Sequence, residues 1–155
     1  MALFTSTHLN RLDKKGRVSV PALWRLGLAK NSFNGIVVLP SYRARAIEGC
    51  GYDRLERLNE LLQTPGAMSD TARGHAEAMM AKVETLQFDT EGRVVLPRSL
   101  SEYAGIAGEA LFVGLGPIFE IWEPGGHGRH YSSAEERART DQPSLRDIGL
   151  MGPKT

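Results

Sequence analysis

The chain has 155 residues, of which 41% are hydrophobic and 24% charged, the composition of an ordinary soluble globular protein. The single Cys50 excludes an internal disulfide and a Cys-rich metal site, and apolar runs such as residues 35–39 fall far short of the roughly 20 residues a spanning helix needs, so no membrane is expected as a partner. The net charge of +1 conceals a polarised chain: residues 1–53 hold eight Lys/Arg against three Asp/Glu, a net +5, whereas residues 82–125 hold three against seven, a net −4. Such segregation suits head-to-tail attraction between oppositely charged halves of an oligomer, a basic face for an anion, or both. Residues 1–10 lack a basic region followed by an apolar one, so no secretory signal is read and a cytoplasmic location is expected.

In chain order, Leu12-Asp13-Lys14-Lys15-Gly16-Arg17-Val18-Ser19-Val20-Pro21 reads as a turn between two strands. Asp13 can accept hydrogen bonds from the turn backbone, and Gly16 tolerates the positive φ that closes a hairpin. Val18 and Val20 then face a core while Arg17 and Ser19 face away, and Pro21 stops the ladder and suits a helix start. Residues 22–30 follow as a short helix, 36–39 as a buried strand ended by Pro40, and 46–48 as a strand ended by Gly49 and Gly51. Asp53 is the expected N-cap of a helix over 54–63 with an apolar stripe of Leu55, Leu58, Leu61 and Leu62. Ser69 or Asp70 starts a second helix that runs to Glu84, with Ala72, Ala76, Met79, Met80 and Val83 at helical spacing.

The first pattern then returns 76 residues on, as Phe88-Asp89-Thr90-Glu91-Gly92-Arg93-Val94-Val95-Leu96-Pro97. Asp89 and Gly92 take the turn-holding places, Arg93 the place of Arg17, and Val94 and Leu96 the inward positions. The scaffold is kept and the tip is not: Lys14-Lys15 gives way to Thr90-Glu91. A helix over 100–106, strands over 110–113 and 119–122, and a hairpin loop at Gly114-Leu115-Gly116-Pro117 match the order of the first unit. Beyond Gly125, Ser132 or Ser133 caps a candidate helix, His127 and His130 read as loop residues, and 142–155 as a flexible end. The division implied is 7–53 for a first repeat, 54–81 for a helical connector, 82–125 for a second repeat and 126–155 for a C-terminal helix and tail. Each repeat alone buries little surface, so fusion or oligomerisation is expected.

No P-loop, Gly-x-Ser-x-Gly elbow or His-Glu-x-x-His is present, so no enzyme, cofactor or metal is expected. The four histidines and Cys50 lack metal-ligand spacing. What remains is a basic tip, Arg11, Lys14, Lys15 and Arg17 within seven residues. A solvated charged turn is one reading. A β-ribbon that inserts Arg17 into a DNA major groove, with lysines on phosphates, is the other, and the repetition and charge segregation favour it.

The two Asp-x-x-x-Arg turns, together with Val-Gly-Leu-Gly-Pro-Ile-Phe-Glu-Ile-Trp-Glu-Pro at 113–124, resemble the bacterial MraZ family over about residues 5–125. The resemblance implies an α+β fold of two tandem SpoVT/AbrB-like units, folded on each other as an intrachain pseudo-dimer of swapped hairpins with flanking helices, and several chains closing into a homo-oligomeric ring. It implies a nucleoid-associated transcriptional regulator that binds double-stranded DNA at G-rich direct repeats upstream of the division and cell wall gene cluster, its own gene included. The family's arginine maps onto Arg17 and, by the repeat, onto Arg93. Lys14 and Lys15 are then the phosphate contacts, Arg11 a further basic candidate, and Asp13, Gly16, Asp89 and Gly92 the turn-positioning residues. A protein-binding module of antitoxin-like type, gripping a basic partner with the acidic second half, is the rival reading.

Overall fold

The computed structural model describes residues 2–147. Residues up to Pro124 form one compact unit and those from Gly125 a second. The first unit opens with β1 (Thr7–Arg11), β2 (Arg17–Ser19), α1 (Ala22–Leu28), β3 (Gly35–Pro40) and β4 (Ile47–Cys50). Two connecting helices follow, α2 (Tyr52–Gln63) and α3 (Asp70–Met80). The opening order then repeats as β5 (Glu84–Gln87), β6 (Arg93–Val95), α4 (Arg98–Ala104), β7 (Glu109–Gly114) and β8 (Phe119–Trp122). The fold is α+β, and all the strand pairs among the described residues are antiparallel.

Alternation explains the short strands. Val18, Val20, Val94 and Leu96 are all buried in the common core, whereas Ser19 and Val95 are exposed. Pro21 and Pro97 stand directly before α1 and α4, where a missing backbone N–H costs nothing to the ladder already ended. Gly105, at φ +68°, closes α4 in the left-handed conformation.

The strand pairing corrects one expectation. The turns at 13–16 and 89–92 do not close hairpins, because β1 and β2 do not form a ladder with each other, nor do β5 and β6. Instead β2 pairs with β6, Val18 opposite Val94, in a two-stranded ladder of its own. The other six strands form a sheet in the order β1-β7-β8-β4-β3-β5. Thus β1 from the first half flanks the β7–β8 hairpin of the second, and β5 from the second flanks the β3–β4 hairpin of the first. Strands from both parts of the sequence therefore share one six-stranded sheet.

Trp24 of α1 sits at the centre of the core, 2% exposed. Its ring meets Phe4, His8 and Phe112 edge-on, with centroids 5.3, 5.7 and 6.0 Å away, and lies tilted against Phe119 at 5.1 Å. The indole N–H donates to the Thr5 carbonyl at 2.9 Å, so the one polar atom of the side chain is satisfied. This anchors α1, and with it Arg25, against the start of β1.

Several boundaries differ from the sequence expectation. Asp53 is not the N-cap of α2 but its second residue; Gly51 holds the cap, and Asp53 adds an acidic charge to the first turn. Ser69 caps α3 by accepting from the Ala72 N–H at 3.1 Å. That helix stops at Met80, and Glu84 is the first residue of β5, because pairing with Val38 claims it for the sheet. Gly49 does not end β4 but lies within it, opposite Phe119, whose ring occupies the space a Cβ would need. After β8, α5 runs Pro124–Asp141, so His127 and His130 are helical and not loop residues, and the helix starts well before Ser132. A 3₁₀ turn spans Leu145–Asp147. Of the expected flexible end, residues 148–155 lie outside the described residues.

Candidate nucleic-acid interface

The repeated pattern builds two matching turns. In the first, Asp13 Oδ1 accepts the backbone N–H groups of Lys15 and Arg17, both at 2.9 Å, and Oδ2 accepts Arg17 Nε at 2.6 Å. In the second, Asp89 Oδ1 accepts from Glu91 and Arg93 N–H at 2.9 Å each, and Oδ2 accepts Arg93 Nε at 2.9 Å. The chain crosses each turn with two backbone bonds: Gly16 N–H to Asp13 O at 3.0 Å and Asp13 N–H to Arg17 O at 3.0 Å, matched by Gly92 to Asp89 at 3.1 Å and Asp89 to Arg93 at 2.8 Å. The glycines take φ +78° and +76°, conformations that a side chain resists. One carboxylate thus fixes the turn backbone and the direction of the arginine at once.

The turns are also tied to each other. Leu96 N–H donates to the Gly16 carbonyl at 2.9 Å, and Val20 N–H to the Gly92 carbonyl at 3.2 Å. The β2–β6 ladder extends this reciprocal link, with Arg17 opposite Val95 and Arg93 opposite Ser19. Asn10 Nδ2 adds a 2.8 Å bond to the Ser19 carbonyl and fastens β1 to β2.

Electrostatics follow from these bonds. Hydrogen bonding from the Arg17 N–H, then from its side chain and the Lys15 N–H, holds the Asp13 carboxyl below its usual range, against a smaller opposing effect of desolvation. The Asp89 carboxyl is lowered in the same way, first by the Arg93 N–H. The Asp89 side-chain hydrogen bond raises the Arg93 guanidinium above its ordinary value. Each carboxylate stays ionised beside its arginine.

The two arginines are not equally available. Arg17 spends Nε on Asp13, and neither of its Nη atoms has a protein partner among the described residues. Arg93 spends Nε on Asp89 and Nη2 on Glu91 Oε2 at 3.2 Å. Lys14 and Lys15 are exposed at the first tip, and no carboxylate pairs with them among the described residues. Arg11 ends β1, exposed, with Glu109 opposite it. All the residues singled out from the pattern therefore cluster on the two turns or at the end of β1.

One residue escaped the sequence reading. Arg25 of α1 donates Nε to the Val20 carbonyl at 3.1 Å, and its guanidinium lies where a Cβ on Gly92 would be. With Asn34, Phe88, Asp89 and Thr90 it lines a shallow depression at the second turn. The surplus of cations in residues 1–53 included it, but no local spacing linked position 25 to position 92. Elsewhere, Cys50 is largely buried, and desolvation pushes its thiol up to about 11. Among the described residues no three His, Cys, Asp or Glu side chains gather as a metal site, and no helix is long and apolar enough to cross a membrane.

Fold and site together define an α+β chain that presents two Asp-x-x-x-Arg turns on a shared ladder, one of them strongly basic. Comparison with known proteins gives that class a name. A family model described as "MraZ protein, putative antitoxin-like" matches residues 79–146. The curated "Transcriptional regulator MraZ" of Rickettsia akari (strain Hartford) is 41% identical over 147 residues, 95% of this chain and 99% of the relative. Its namesake from Rickettsia canadensis (strain McKiel) is 40% identical over the same shares, and that of Rickettsia bellii (strain OSU 85-389) is 40% identical over 148 residues, 95% of this chain and 99% of the relative. The chain belongs to the MraZ family.

Proposed function

We propose that the protein is a sequence-specific, DNA-binding transcriptional regulator and not an enzyme, acting in the cytoplasm at the nucleoid. The observation that carries this reading is the first turn. Asp13 fixes Arg17 through Nε and leaves its Nη atoms without a protein partner among the described residues, while Lys14 and Lys15 stand exposed beside it. Guanine offers two major-groove acceptors to such a guanidinium, and the lysines suit flanking phosphates. The G-rich direct repeats expected upstream of the division and cell wall genes, the protein's own gene included, match that chemistry.

The reciprocal exchange of β1 and β5 supports two SpoVT/AbrB-like repeats, residues 7–53 and 82–125, arranged as an intrachain pseudo-dimer of swapped hairpins. The connector 54–81 joins them, and 126–155 forms a C-terminal extension. A single basic tip binds weakly, so useful affinity needs several tips on spaced half-sites joined in one homo-oligomeric ring. The exposed Leu23 and Leu26 on α1, 73% and 70% accessible, are the kind of apolar surface such self-association covers.

The test is titration of a fluorescent duplex carrying the upstream repeats. Arg17→Ala is expected to lose about 1–3 kcal/mol per engaged base contact, and Lys14→Ala to flatten the salt dependence. Unchanged operator affinity in Arg17→Ala refutes the assignment. The family description "antitoxin-like" favours one rival, a module that grips a basic protein through its acidic second half. Stoichiometric co-purification of such a partner, with no DNA shift at moderate salt, would support it.

A further inference from the structure

We infer that Arg25 makes the second turn a phosphate-binding site, supplying from α1 the cation that the Thr90-Glu91 tip lacks. The inference rests on the DNA-binding reading above and extends it to a residue outside both repeated motifs.

Charge counting at the turns shows why a further cation matters. Asp13, Lys14, Lys15 and Arg17 sum to +2, whereas Asp89, Glu91 and Arg93 sum to −1. By its own motif the second turn would repel a DNA backbone. Arg25 brings that turn to neutrality, and it does so with free donors. Only Nε is engaged, on the Val20 carbonyl, and no carboxylate pairs with the guanidinium among the described residues. The negative groups nearby are already answered: Asp89 accepts three N–H bonds, and Glu91 lies on Arg93 Nη2.

Geometry makes the site specific to one turn. The guanidinium lies against Gly92, which has no side chain to exclude it, and lines the open depression with Thr90 and Asn34. The position 76 residues on from Arg25 is Ser101, whose hydroxyl donates to the Arg98 carbonyl at 3.1 Å and braces nothing at Gly16. The first turn therefore carries its phosphate contacts on its own tip. The second borrows one from the opposite half, and the α1 anchor Trp24 holds it there. Two adjacent turns then engage one backbone tract, the first with base-reading capacity and the second as a sequence-independent clamp.

The experiment measures binding of the full-length protein to the upstream-repeat duplex and to a scrambled duplex across a salt series, with urea unfolding of each variant alongside. Arg25→Gln is expected to weaken both duplexes by the same factor, about 3- to 10-fold, and to lower the salt slope by about one per engaged turn. Arg25→Lys keeps the charge and should keep the slope. Glu91→Gln, a change at an exposed tip residue, should tighten both duplexes a few-fold. A lowered urea midpoint in Arg25→Gln with an unaltered slope means a structural role only and overturns the inference, as does unaltered affinity in Glu91→Gln. If those two results appear while Lys14→Ala still flattens the slope, the DNA-binding reading stands and only the Arg25 site falls. If the wild-type protein binds neither duplex, both fall.

Discussion

Gly16→Ala and Gly92→Ala are the same substitution at equivalent places in the repeated motif, yet they should not cost the same. Both glycines sit near φ +77°, so both alanines incur the left-handed penalty of about 1–2 kcal/mol. At position 16 the new methyl meets the Leu96 carbonyl oxygen at 3.4 Å and Val95 Cγ1 at 3.9 Å, ordinary contacts that add nothing further. At position 92 it meets the Arg25 guanidinium, which must swing away and give up its bond to the Val20 carbonyl. Losing that bond adds about 0.5–1.5 kcal/mol. Gly92→Ala should therefore be the more destabilising by about 1 kcal/mol, which is a few degrees in melting temperature for a chain of this length. Urea denaturation followed by circular dichroism reads the difference as a shift in midpoint at constant slope. Restoring the comparison in an Arg25→Ala background should bring the two costs together, because the obstructing group is gone. Equal costs in the wild-type background would refute the claim that Arg25 packs on Gly92.

Trp24→Ala should cost about 3–5 kcal/mol, a large share of the about 5–15 kcal/mol that holds a domain of this kind, since it empties the centre of the aromatic cluster and orphans the Thr5 carbonyl; a loss under about 1 kcal/mol in urea unfolding would contradict its central place. Asp13 and Asp89 are held below the ordinary carboxylate range in the folded chain, so the stability they contribute is complete above about pH 4 and is lost as the pH falls through their lowered folded-state values. The double variant Asp13→Asn, Asp89→Asn should flatten the acid limb of a stability-versus-pH curve, and an unchanged limb would show that other carboxylates govern it.

Much of this architecture is written locally. The Asp-x-x-Gly-Arg turn needs only bonds that span two to four residues, so Asp13, Gly16, Asp89 and Gly92 announce a turn in the sequence, while the strands on either side of it pair elsewhere. Strand alternation at Val18 and Val94 is legible for the same reason, since inward and outward positions are fixed by a period of two, whereas Ile36–Leu39 and Phe119–Trp122 are buried on both faces and are legible as short runs bounded by turn residues. Local signals fail where a long-range contact outweighs them. Gly49 reads as a strand end, but the Phe119 ring needs the space it leaves, and the strand continues. Glu84 continues a helical stripe, but a place opposite Val38 takes it into the sheet. Gly125, Gly126 and Gly128 make His127 and His130 read as loop residues, yet α5 runs through them.

The sequence by itself determined that two like turns exist, that each is closed by its own aspartate, and that the first is basic and the second is not, because those properties depend only on residues within a few positions of one another. Tertiary structure decided which strands pair across the halves and which arginine stands beside which glycine. β1 pairs with β7 and β5 with β3 because a short strand is stabilised by whichever sheet edge burial offers it, and Arg25 reaches Gly92 only because Trp24 pins α1 beneath the second turn. Partner choice between residues so far apart in sequence is a matter of packing, and no local spacing encodes it.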